Sequence, residues 1–110
     1  MPNFFIDPQK IEALITSKTT AILGVDLWGW GCDVKTFEEI ARRYNLKLLF
    51  DANHAFGCSD QGQMIGNFGN AEVFSFNVIR FCNSFEGGEI VTNDSELANR
   101  ICLMKNVGFF

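Results

Sequence analysis

Histidine and proline are scarce in this 110-residue sequence, which has one of the first and two of the second. One imidazole cannot complete a Cys/His zinc site of the usual spacing, and Cys32, Cys58, Cys82 and Cys102 contain no Cys-x-x-Cys pair. No metal site is expected, and the cysteines read as buried or half-buried free thiols in a reducing compartment. Basic residues are outnumbered, nine Lys and Arg against thirteen Asp and Glu, for a net charge of −4. With no basic patch, nucleic acid is not an expected partner. No apolar run approaches the ~20 residues that span a bilayer, so no membrane role is expected. Met1-Pro2-Asn3-Phe4 has neither the charged nor the apolar region of a secretory signal. There is no repeat, no low-complexity tract and no linker. Gly-x-Ser-x-Gly and P-loop patterns are absent, and Gly29-Trp30-Gly31 is too short for a dinucleotide fingerprint. The reading is a soluble, mildly acidic, cytoplasmic chain forming one domain over residues 1–110. That length buries somewhat over roughly 60% of the unfolded surface, enough for one core.

Aromatic residues, in contrast, are plentiful: twelve Phe and two Trp. Unless most are buried, the surface is sticky. Two periodicities alternate along the chain. Asp7-Pro8 opens a helix with Ile11, Leu14 and Ile15 on one face. Asp33 caps a second helix, with Val34, Phe37, Ile40, Ala41 and Tyr44 at helical spacing. Asn93 or Asp94 caps a third, with Leu97, Ile101 and Met104 on one side and Gly108 placed to end it. Residues 21–27 (AILGVDL), 47–52 (KLLFDA), 72–77 (EVFSFN) and 88–92 (GEIVT) read as strands. Strands joined through helices predict an α/β fold with a parallel sheet. Residues 78–87 have no helical pattern, so the last strand is expected to reverse and run antiparallel.

Ligands of open α/β sheets bind beyond the carboxyl ends of the strands. Asp51 closes the second strand, His54 follows it, and Ser75 lies near the end of the third. Arg80 stands in the loop beyond. An aspartate, an imidazole, a hydroxyl and a guanidinium together can hold a ring nitrogen and a phosphate. The plainer readings are that Asp51 binds backbone N–H groups at a strand end and that His54 is structural. Glu38, Glu39, Arg42 and Arg43 read as a solvated helix face with i,i+4 pairs.

Four segments, in order and spacing, carry a resemblance. They are Asp51-Ala52-Asn53-His54-Ala55-Phe56-Gly57, Ile65-Gly66-Asn67-Phe68-Gly69, Phe74-Ser75-Phe76, and Phe85-Glu86-Gly87-Gly88-Glu89-Ile90-Val91-Thr92-Asn93-Asp94. Together they resemble the sugar-nucleotide aminotransferases of the DegT/DnrJ/StrS family, fold-type-I enzymes that use pyridoxal phosphate (PLP). The resemblance implies the central part of an aminotransferase large domain, with the N-terminal segment and the small C-terminal domain absent. It implies four neighbouring strands, the last antiparallel. Asp51 would pair with the cofactor's ring nitrogen, His54 would lie beside the ring, and Ser75 would bond the phosphate. The family's Schiff-base lysine follows that serine by five positions, and here the position is Arg80. Guanidinium stays protonated and is a poor nucleophile, so Arg80 is expected to be non-functional in transamination. Asn77, Ile79, Asp26 and Trp30 also depart from the family's usual residues.

The resemblance therefore implies a truncated pseudoenzyme, with PLP binding weak and non-covalent if it occurs. The alternative is a non-enzymatic oligomerisation or partner-binding module, or a gene piece with no selected activity. Uncovered sheet edges and Phe-rich faces are expected to make it a homo-oligomer.

Overall fold

The computed structural model describes residues 6–105. Gly108, expected to end the last helix, lies outside them. Helix α1 (Pro8–Ile11) is one turn long, is capped by the Asp7 side chain, and continues as a 3₁₀ turn over Glu12–Leu14. Strand β1 (Ala21–Val25) leads through a tight turn to α2 (Val34–Arg43), and α2 returns the chain to β2 (Lys47–Asp51). The Asp33 carboxylate caps α2 through the N–H and hydroxyl of Thr36. A two-stranded hairpin follows, β3 (Ser59–Asp60) and β4 (Gln63–Met64), and then β5 (Ala71–Ser75). The last described elements are β6 (Gly88–Val91) and α3 (Ser95–Lys105), whose first amides bond the Asp94 carboxylate.

The main sheet has the order β1-β2-β5-β6. β1, β2 and β5 are parallel, and β6 is antiparallel to β5. The expected α/β sheet with one reversed strand is therefore observed. The first strand ends at Val25, two residues early, because Leu27 and Trp30 close a bridge between themselves. The β3–β4 hairpin replaces part of what reads in sequence as a long loop. Its turn residues Gln61 and Gly62 both have left-handed φ, as tight hairpins require.

The strands alternate, so one face of the sheet is covered and the other is open. Ile22, Leu48 and Phe50 pack against Phe37, Ile40 and Ala41 of α2. Gly24 is part of this arrangement: a Cβ there would stand 2.6 Å from the Phe50 ring. A second apolar cluster lies under residues 52–68 and joins Ala52, Ala55, Ile65 and Phe74. On the open face Leu23, Val73 and Ile90 are exposed. In α3, Leu97 and Ile101 are half-buried but Met104 is exposed. The expected i,i+4 pairs of α2 are not the ion pairs found. Arg43 reaches across to Glu12, and the other pair among the described residues is Lys10 with Asp7. Three cysteines are buried or half-buried and free, while Cys102 is exposed.

Candidate active site

A cleft of about 430 Å³ opens at the carboxyl ends of the parallel strands. The turn after β1 contributes Trp28, the segment after β2 contributes Asn53, His54 and Phe56, and β5 contributes Ser75. The loop between β5 and β6 adds Ile79, Arg80, Phe81 and Cys82. Trp28 holds φ at +53°, a left-handed conformation unusual for a bulky residue.

Local geometry explains how these side chains meet. Ala52 and Ala55 are buried, and the Ala55 N–H closes a turn on the Ala52 carbonyl. Phe56 then stacks edge-on against Phe74 and Phe76, with ring centroids 5.4 and 5.3 Å away. That clamp ties the segment bearing His54 to β5. Beyond β5, backbone bonds between Phe76 and Gly87 and between Val78 and Phe85 prolong the antiparallel ladder. Asn77 donates to both oxygens of Glu86 across it. The tip of this hairpin presents Arg80.

Ser75, His54 and Arg80 thus share one cleft. Asp51 does not line it: its Oδ1 accepts the Asn53 N–H at 3.2 Å. The plainer sequence reading of Asp51, a carboxylate bonding backbone at a strand end, describes what it does here. Arg80 forms no ion pair with the described acids, and its buried Nε has no hydrogen-bond partner. His54 Nδ1 and Asn53 Oδ1 are likewise buried without partners. Buried polar atoms normally find partners, so three unmet ones beside one cleft are exceptional among the described residues. Sequence reasoning assigns no site role to Trp28, Phe81 or Cys82. Their signal is weak, since each lies in a turn or loop and the cleft wall forms only when strands that are distant in sequence are brought side by side.

Among the described residues, no group of three or more His, Cys, Asp or Glu could hold a metal ion. No helix among them is long and apolar enough to cross a membrane.

Comparison with known proteins places the class. The chain matches the DegT/DnrJ/EryC1/StrS aminotransferase family over residues 1–110 and belongs to it. It is 43% identical over 107 residues to the dTDP-3-amino-3,6-dideoxy-alpha-D-galactopyranose transaminase of Aneurinibacillus thermoaerophilus, covering 96% of this chain and 30% of that protein. It is 38% identical to the UDP-4-amino-4,6-dideoxy-N-acetyl-beta-L-altrosamine transaminase of Helicobacter pylori, covering 94% of this chain and 28% of that protein. In structure it is similar to DesI, solved with its TDP-sugar product. The TM-score is 0.92 at 44% identity, over 96% of this chain and 27% of that one. It is also similar to NtdA from Bacillus subtilis, solved with the cofactor PMP. There the TM-score is 0.82 at 36% identity, over 91% of this chain and 22% of that one. The chain thus spans about 30% of the length of the curated relatives it matches. Members of the family are PLP-dependent aminotransferases, and these structural neighbours are fold-type-I enzymes.

Proposed function

We propose that this chain is a catalytically silent relative of the PLP-dependent sugar-nucleotide aminotransferases, able to hold a flat anionic ligand such as PLP weakly and without a covalent bond. The observation that carries this reading is Arg80 lining the cleft beside Ser75 and His54, with no lysine among the lining residues. Three buried, unpartnered polar atoms at the cleft make it a fit for a polar aromatic group. PLP, when bound, supplies an aldehyde and an electron-accepting ring. Arg80 and Ser75 would bind the phosphate or the aldehyde oxygen, and His54 would lie against the ring. Asp51 lies outside the lining residues, and the Asn53 N–H occupies only its Oδ1, which leaves Oδ2 to accept from a ring nitrogen. Covalent capture needs an amine that sheds its proton, and a guanidinium stays protonated in proteins. The same substitution removes the amine that would move the proton in transamination.

The test is an absorbance titration with PLP on the native chain and on Arg80→Lys, with borohydride reduction and mass measurement. Surface lysines give adducts in both proteins, so peptide mass mapping is used, and the expected difference is a saturable adduct at position 80 of the variant. A saturable adduct at a single amine of the native chain, or turnover of a sugar nucleotide above a free-PLP blank, overturns the reading.

A second reading is favoured by the surface. Trp28, Ile79, Phe81 and Phe85 are exposed, Phe81 to 98%, and the open sheet face exposes Leu23, Val73 and Ile90. Such patches suit a module that self-associates or docks on a partner. Sedimentation velocity over a range of concentrations tests it, and a monodisperse monomer at high concentration sinks it. The four free thiols support a reducing, cytoplasmic setting.

A further inference from the structure

Glu72 is on the covered side of the sheet and is 1% exposed. It stands in register between Phe50 of β2 and Val91 of β6. This is where the two apolar clusters meet, since Phe50 belongs to one, Phe74 to the other, and Phe68 packs against both. The segment after β4 lies directly over it. A Cβ at Gly66 would stand 3.7 Å from Glu72 Oε2 and 3.5 Å from the Phe74 ring, and Gly66 itself has a φ of +112°. A side chain there would touch the carboxyl at ordinary contact distance, but the left-handed φ would strain the backbone.

Neither carboxyl oxygen of Glu72 has a formed hydrogen bond. The groups around it do not neutralise a charge. From the end of β1 comes Asp26, also buried, whose Oδ1 already accepts the Cys32 N–H at 2.9 Å and thiol at 3.2 Å. Asp60 of β3 adds a further acid on the Asp26 side, since a Cβ at Gly31 would stand 3.7 Å from Asp60 Cβ and 4.0 Å from Asp26 Oδ1. From α2 come apolar Val34 and Phe37 of the core, while its charged Lys35 and Glu38 line the outer pocket that Asp60 and Phe68 also line. Backbone groups of Gly66 and Phe68 favour the anion somewhat. Burial outweighs them and, with the Asp26 charge, pushes the Glu72 carboxyl up from 4.5 to about 7. An isolated buried carboxylate is costly, so the closed form keeps the proton.

We propose that Glu72 is a proton-operated latch: neutral, its carboxyl lets residues 65–69 close over β5, and giving up its proton favours an open form that loosens the Ala52–Ala55–Ile65–Phe74 cluster and, with it, the cleft residues His54 and Phe56. The cluster is the physical link, because Phe56 is clamped on Phe74 and the turn bearing His54 is anchored by Ala52 and Ala55. In the open form Glu72 meets water and titrates as an ordinary glutamate. The closed form is therefore fully favoured below pH 4.5 and loses ground as pH rises to about 7, beyond which the balance is level.

Native-state hydrogen exchange on the full chain tests this independently of any ligand. Protection factors of amides 65–69 are expected to fall by up to about two to three powers of ten between pH 4.5 and 7, then flatten. In Glu72→Gln they should be flat throughout. A flat profile in the native chain, or the same fall in the variant, overturns the latch. Carbon-13 NMR of the glutamate carboxyls in the native chain decides the matter even if the variant does not fold. A carboxyl titrating near 7, together with the fall in protection of amides 65–69, supports the latch, and all carboxyls titrating in the ordinary glutamate range overturn it.

Discussion

The two apolar clusters of this chain are built by different means. The one under α2 joins a ten-residue helix to β1 and β2 and is closed by residues whose spacing is periodic. The one under residues 52–68 is held by turns, a two-residue hairpin and an aromatic clamp, and has a buried carboxyl at its border. Periodic packing seals a core at low cost in special conformations. Irregular packing needs left-handed residues such as Gly57, Gly62 and Gly66, and it is the irregular half that presents His54 to the cleft. The first region secures the sheet, and the second shapes a site at the expense of rigidity.

The largest test of that contrast is Phe50→Ala. Phe50 is fully buried and packs on Phe37, with ring centroids 6.2 Å apart. Its loss is expected to cost about 3–5 kcal/mol, a large share of the ~5–15 kcal/mol that holds an ordinary domain folded. Urea unfolding followed by far-ultraviolet dichroism reads the effect. An effect under about 1 kcal/mol would mean that the α2 cluster does not dominate.

Next comes pH. The Glu72 carboxyl is raised from 4.5 to about 7, so its contribution is fully present below 4.5 and is lost as pH rises through 7. The loss is about 3 kcal/mol at most by linkage. Urea midpoints at pH 5 and pH 8 should differ in the native chain, lower at pH 8, and draw together in Glu72→Gln. A higher midpoint at pH 8 in the native chain would place the weakness elsewhere.

Asp33→Ala removes the α2 cap, whose carboxylate serves Thr36, and is expected to cost about 1 kcal/mol, against near zero for an uncapped exposed position. Thermal melting resolves it. The smallest effect on stability belongs to Phe81→Ser at the cleft mouth, expected within about 0.5 kcal/mol because the ring is exposed. Its consequence should appear in sedimentation, as weaker self-association.

How much of this is legible in the chain follows from the range of each interaction. The caps Asp7, Asp33 and Asp94 are readable, because a cap bonds amides two or three residues away. The strand segments are readable to within a residue or two, because alternation is local. The β3–β4 hairpin is not, although Gln61-Gly62 between Ser59-Asp60 and Gln63-Met64 is a turn signal. Two-residue strands carry no periodicity to detect. The pairing of Arg43 with Glu12 joins distant parts of the chain, whereas local spacing points Arg43 to its i,i+4 neighbour.

The sequence by itself determined the family and the side-chain chemistry available at position 80. A guanidinium is a poor nucleophile wherever it sits, and the motifs that frame it stand in order along the chain. It also determined that a parallel sheet would form with a reversed last strand. Only the tertiary structure decided which polar residues share the cleft. It put Ser75, His54 and Arg80 there, and it turned Asp51 to the Asn53 amide. It alone buried Glu72 between two clusters, near Asp26 and without a partner. The reason is that burial and charge proximity arise from strands packed side by side. Register across a sheet, which sets residue 50 against residue 72, cannot be read from either segment alone.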